Sequence, residues 1–168
     1  MRDVLTKEHK FFIGKPDRII DGLSFPDEFN ITRMIEKALA YQSNGLYTFV
    51  DADGYDFSDH SDAKTATVRM NNHKTKQRML TISSVGNKIG ALRLIVSNPF
   101  TDRVDFFYIP QKDKKLFISY ESYGKHHIYV PWSHKNGYNK LNRFQVASFR
   151  ELARMSDQHY PSLFDRTI

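Results

Sequence analysis

Five aspartates, Asp51, Asp53, Asp56, Asp59 and Asp62, fall within twelve residues, and the last opens the tripeptide Asp62-Ala63-Lys64. Carboxylates this dense either cap turns through nearby backbone amides or gather around a hard cation. From Ala63 through Thr101 the chain has no acid, but it carries Lys64, Arg69, Lys74, Lys76, Arg78, Lys88 and Arg93. An acidic cluster that runs into a basic stretch suits a metal site set in a phosphate-attracting surface. Residues two apart on a strand share a face, so Asp62 and Lys64 project together, and Asp56 on the preceding strand of a hairpin reaches the same spot. Two carboxylates and an amine suit phosphodiester hydrolysis. The carboxylates hold Mg²⁺, which polarises the phosphate and activates water, and the lysine orients that water or offsets charge on the phosphorane.

Other chemistries fit less well. Asp51 to Asp56 looks like the start of a calcium loop, yet Asp56 stands where an EF-hand needs glycine, and Asp62 where it needs glutamate. His126-His127-Ile128 followed by Pro131 has a faint likeness to a ββα-metal nuclease, but Arg150 and Glu151 occupy the place of its downstream ligands. Gly86-Asn87-Lys88-Ile89-Gly90 lacks the ending of a phosphate loop and reads as a hairpin turn. Turn chemistry alone accounts for Asp51 or Asp53, and for Asp59.

The elements that must carry these residues are legible in outline. Residues 1–28 read as an irregular arm with a short helix near Pro16–Leu23. Asn30 suits an N-cap, and Ile31, Met34, Ile35, Ala38 and Leu39 follow the period of an amphipathic helix that ends at Ser43-Asn44-Gly45. Strands are expected over Leu46–Val50, Tyr55–Ser58, Asp62–Met70, Met79–Ser83, Ala91–Ser97, Val104–Ile109 and Leu116–Tyr120, with one more over His127–Val130. Asn71–Gln77 reads as a polar loop. Leu141–Met155 reads as a second helix with Phe144, Ala147, Leu152 and Met155 inward. The order helix, strands, helix predicts one mixed α/β (α+β) domain over 1–168, with a mixed sheet flanked by an N-terminal and a C-terminal helix.

Gly54-Tyr55-Asp56, a short turn, and Asp62-Ala63-Lys64-Thr65 resemble the signature of the PD-(D/E)XK nuclease superfamily. The resemblance covers roughly residues 30–70. It implies a restriction-endonuclease-like core: a helix, a three-stranded antiparallel meander, a second helix and a further strand. The first aspartate would lie on the second strand and the D-x-K on the third. It further implies Mg²⁺, with Mn²⁺ as substitute, held by Asp56 and Asp62, and Lys64 as the group that positions water. Glu36 on the preceding helix matches the position of a further acid, although a solvated glutamate fits there equally. No proline precedes the first aspartate, and Asp53 or Asp51 gives a more usual gap than Asp56, so the first ligand stays open.

Composition favours one class of partner, although many basic proteins bind none of it. The chain holds 25 Lys and Arg against 19 Asp and Glu, a formal +6, which favours polyanions. A second acid-free stretch, Ser122 to Arg150, interleaves Lys125, His126, His127, His134, Lys135, Lys140 and Arg143 with Tyr123, Tyr129, Trp132 and Tyr138. Cations neutralise phosphates and aromatic faces stack on bases. The plainer alternative is a solvated basic surface whose aromatics belong to the core. Together with the loop residues His73, Lys74, Lys76 and Arg78, this stretch is the expected grip on DNA, with RNA not distinguished. Cleavage of both strands would call for a homodimer. The alternative from another class is a non-catalytic DNA- or RNA-binding protein of phage or bacterial origin. The absence of cysteine fits a reducing, cytoplasmic setting, and no run of residues is long and apolar enough to predict a membrane span.

Overall fold

The structure, a computed structural model, describes residues 31–52, 55–72, 77–82, 90–122 and 125–157. The expected N-terminal arm, the Asn30 cap, the second half of the turn expected over Asp51–Gly54, most of the 71–77 loop and most of the 86–90 turn lie outside them; Asp51 and Ala52, the first half of that turn, end a strand instead.

The first helix among the described residues, α1, spans Ile31–Gln42. Its period buries Met34, Ile35, Ala38 and Leu39. It stops where the sequence predicts: Ser43 Oγ donates to the Ala40 carbonyl at 2.7 Å, and Asn44 and Gly45 take positive φ. Two strands, β1 (Phe49–Ala52) and β2 (Tyr55–Phe57), follow as an antiparallel ribbon.

Then come β3 (Asp62–Thr67), β4 (Arg69–Asn72), β5 (Gln77–Ile82), β6 (Leu92–Asn98) and β7 (Arg103–Ile109). After a 3₁₀ helix over Gln111–Leu116 come β8 (Ile118–Ser122) and β9 (Lys125–Trp132). A second 3₁₀ helix, Asn139–Phe144, leads to β10 (Gln145–Val146) and the helix α2, Phe149–Arg154. One four-stranded sheet runs β10-β7-β6-β3 and the other β4-β5-β9-β8. In the first, β3 lies parallel to β6, with Asp62 opposite Leu92, and every other pairing is antiparallel. Residues Leu92–Val96 of β6 are buried on both faces, as a strand covered by packing layers on each side must be. The architecture is the expected mixed α/β, with, among the described residues, one α-helix before the strands and one after.

Four local expectations are corrected. The stretch from Asp62 to Met70 does not run as one strand. It breaks at Val68, whose amide bonds the Ser97 carbonyl at 3.0 Å and whose side chain is buried, and there the chain passes from one sheet to the other. The strand expected at Leu116–Tyr120 starts later, because Leu116 closes a 3₁₀ helix. The helix expected over Leu141–Met155 is interrupted: Gln145 and Val146 pair with Phe107 and Phe106 of β7 instead. Helix α2 then restarts behind Ser148, whose Oγ accepts the Glu151 amide at 3.1 Å, a cap that contributes about 1 kcal/mol. Of the inward face predicted there, Phe144, Leu152 and Met155 are buried and Ala147 is exposed.

The fourth correction concerns the meander. The β1–β2 ribbon does not extend to β3 as a ladder; β3 takes its partner from β6 instead. Among the described residues between β3 and β6 the chain forms strands and no helix. The second helix that the nuclease resemblance implies after the D-x-K strand is not found among the described residues.

One close approach fixes the entry to β3. The turn Phe57–His60 has its last residue at φ 66° and its last amide on the Phe57 carbonyl at 2.9 Å. Gly90 runs so close behind that a Cβ there would sit 1.9 Å from the His60 carbonyl oxygen. Gly90→Ala is expected to cost about 1–3 kcal/mol by overpacking, read as a lowered midpoint in urea unfolding. An unchanged midpoint would mean that the two segments separate freely.

Candidate active site

Asp62 opens β3, its amide bonded to the Ala91 carbonyl at 2.9 Å. Its side chain is almost entirely buried, and Lys64, two residues on and on the same face, brings Nζ to 3.7 Å from Oδ2. Asp56, on β2, turns its carboxylate to the same stretch: Oδ2 accepts the Ala63 amide, between Asp62 and Lys64, at 2.9 Å. The Asp56 and Phe57 amides both reach the Ser61 carbonyl, at 3.1 and 3.2 Å, and this tie holds β2 against the start of β3 without a ladder. Lys64 thus reaches Asp62, and Asp56 reaches the backbone between them.

Glu36 is buried, with 7% of its surface exposed, on α1, which packs against β3; it is not the solvated glutamate of the alternative reading. Among the described residues no three His, Asp or Glu side chains gather closely enough to hold one ion, so Glu36 does not complete a triple with Asp56 and Asp62. Asp53 lies outside the described residues, as does the side chain of Asp51. Two carboxylates suffice for Mg²⁺, which keeps most of its waters and completes its shell on substrate phosphate. The all-oxygen donor set of Asp56 and Asp62 fits that ion.

Asp59 does turn chemistry. Its Oδ1 accepts the Ser61 amide at 3.0 Å and the Ser61 hydroxyl at 2.6 Å. Its Oδ2 meets Arg93, a residue whose role sequence reasoning missed. The Arg93 guanidinium is fully buried and donates to Asp59 Oδ2 at 3.0 Å, Ser61 Oγ at 3.1 Å and the Leu152 carbonyl of α2 at 2.7 Å. It lies over the Tyr47 ring at 4.0 Å from its centre, with Tyr108 at 5.2 Å. Burial pushes both tyrosine hydroxyls well above their ordinary range, with the Arg93 charge pulling less strongly the other way. They stay protonated and donate, Tyr47 to the Ala153 carbonyl at 2.6 Å and Tyr108 to Asp157 at 2.7 Å. Arg93 is therefore no phosphate-facing cation. The signal was an arginine inside Ala91-Leu92-Arg93-Leu94-Ile95-Val96, where a charge buried with its strand needs partners on neighbouring elements.

The residues expected to grip nucleic acid divide by exposure. His134, Lys135, Lys140 and Arg143 are exposed, and Arg78 and His127 are half-buried. Lys125 and His126 lie on β9 with side chains outside the described set, as are His73, Lys74 and Lys76. Two of the interleaved aromatics belong to the core: Trp132 and Tyr138 are buried. Tyr138 donates to Asp105 and accepts from Asn98 Nδ2 at 3.0 Å. Among the described residues no helix is long and apolar enough to cross a membrane. The chain matches no family model, no curated protein and no solved structure.

Proposed function

We propose that the chain is a Mg²⁺-dependent endonuclease that hydrolyses DNA phosphodiester bonds. The observation that carries this reading is the convergence of Asp56, Asp62 and Lys64 on three consecutive backbone positions. Asp56 and Asp62 would hold the ion, and Lys64 would hold the attacking water or offset the charge that builds on the phosphate oxygens. When bound, Mg²⁺ supplies Lewis-acid polarisation of the phosphate. The Asp59–Arg93 anchor keeps the 59–61 turn, and with it the start of β3, in place. The basic surplus and the exposed cations of the 134–143 segment support a polyanionic substrate.

A non-catalytic nucleic-acid binder is favoured by one observation: hydrogen bonds to backbone amides give Asp56 and Asp59 structural roles of their own. Supercoiled plasmid separates the two. The nuclease reading expects nicked or linear product with Mg²⁺ or Mn²⁺ and none with chelator. Binding without product under every divalent ion supports the binder.

A further inference from the structure

A second cluster lies where the second sheet meets the end of β6. Arg78 on β5 stands opposite Trp132 on β9. Its guanidinium lies 4.2 Å from the centre of the Phe100 ring and 5.7 Å from that of Trp132. Those two rings stack with an interplanar angle of 19°. The exposed His134 ring meets Trp132 edge-on at 4.8 Å. Phe100 follows the end of β6, whose Ser97 lies beside Thr67. Asp62, at the other end of β3, is thus roughly 16 Å or more away at the ordinary rise per strand residue.

Among the described residues, the Arg78 guanidinium is held by ring faces alone. Among the described residues no carboxylate pairs with it and no carbonyl takes its N–H groups. Arginines packed for structure behave otherwise here: Arg93 spends its donors on three protein oxygens. A partly buried guanidinium set over aromatic rings, with no protein oxygen on its donors, has a planar face and a fork of N–H groups to offer a ligand. That chemistry suits a phosphate or base edge together with a stacked base. The neighbouring Lys135 is exposed, and no acid stands between Ser122 and Arg150, so the surroundings favour an anionic ligand.

We infer that Phe100, Arg78, Trp132 and His134 form a binding site for an unpaired nucleotide. The base lies on the Arg78 and His134 planes, and the phosphate or base edge on the guanidinium fork. Duplex does not satisfy the site, because its bases are already stacked on one another. Applied to the endonuclease, and resting on that reading, the site directs cleavage to DNA that carries a single-stranded segment.

Trp132 is the only tryptophan, so its fluorescence reports on this site directly. The whole chain is titrated with short oligothymidylate, with duplex of equal length and with heparin, all in chelator. Oligothymidylate is expected to change Trp132 emission saturably, with duplex and heparin weaker. Arg78→Ala and His134→Ala are each expected to weaken binding about 5-fold or more, the scale of one lost base stack. Arg78→Lys, which keeps the charge and loses the plane, is expected to match Arg78→Ala. His134 is exposed, so its variant keeps the test valid should Arg78→Ala unfold. Wild-type affinity in Arg78→Lys and His134→Ala, or equal response to heparin, would overturn the site. Plasmid cutting with no effect of these variants sinks the site and leaves the nuclease standing; variant-sensitive binding without cutting does the reverse.

Discussion

Arg93→Ala is expected to destabilise the chain by about 3–5 kcal/mol, the scale for removing one partner of an ion pair whose arginine is fully buried. The arginine joins three segments distant in sequence: the 59–61 turn, β6 and the last turn of α2. Its loss strips the Leu152 carbonyl of a donor and leaves a cavity between Tyr47 and Tyr108. Asp59→Ala is the informative companion. Asp59 keeps 28% of its side-chain surface exposed, whereas Arg93 has none. Removing the acid leaves the buried charge uncompensated, while removing the base leaves an acid that water can reach. Both variants should therefore lose several kcal/mol in denaturant unfolding, through the trapped charge in one and the lost packing and donors in the other. If either unfolds at the wild-type midpoint, Arg93 does not anchor the turn in front of Asp62.

Asp62→Asn and Lys64→Ala are expected to lower plasmid cleavage by about 100-fold or more each, the loss seen when one preorganised charge-stabilising group is removed from an active site. The two act on one another: Nζ stands 3.7 Å from Oδ2. Their combined loss should therefore fall short of the product of the single losses, as it does for residues that work as a unit. On the proposed reading, DNA binding by Lys64→Ala should stay close to wild type, because the exposed cations of the 134–143 segment would supply the phosphate contacts. A Lys64→Ala protein that neither binds nor cuts would point to lost folding, which its melting curve would show.

Much of this arrangement was legible in the residues. The period of Ile31 to Leu39 and the Ser43-Asn44-Gly45 stop marked α1, and the spacing of Asp62 and Lys64 placed them on one face. Asp59 read correctly as a turn residue because its interaction is local. What stayed hidden was long-range. Nothing in Asp62–Met70 says that β3 will pair in parallel with β6, nor that Val68 is where the chain changes sheet. Leu141 to Met155 carries a helical period, yet pairing with β7 takes Gln145 and Val146 into a strand. Arg93 counted as a surface cation because composition cannot tell a solvated charge from a buried one, although its apolar neighbours held the clue. Arg78 and Trp132 are far apart in sequence and meet only through the β5–β9 register.

The central claim, that Asp56, Asp62 and Lys64 cut phosphodiester bonds, is tested most directly by the cleavage rate of supercoiled plasmid in Mg²⁺, with wild type, Asp62→Asn and Lys64→Ala purified in parallel. The account predicts that wild type converts the plasmid, that chelator stops it, and that both variants are slower by about 100-fold or more. Equal cutting by all three proteins would contradict it, as would a wild-type protein that binds DNA and leaves it intact in both Mg²⁺ and Mn²⁺.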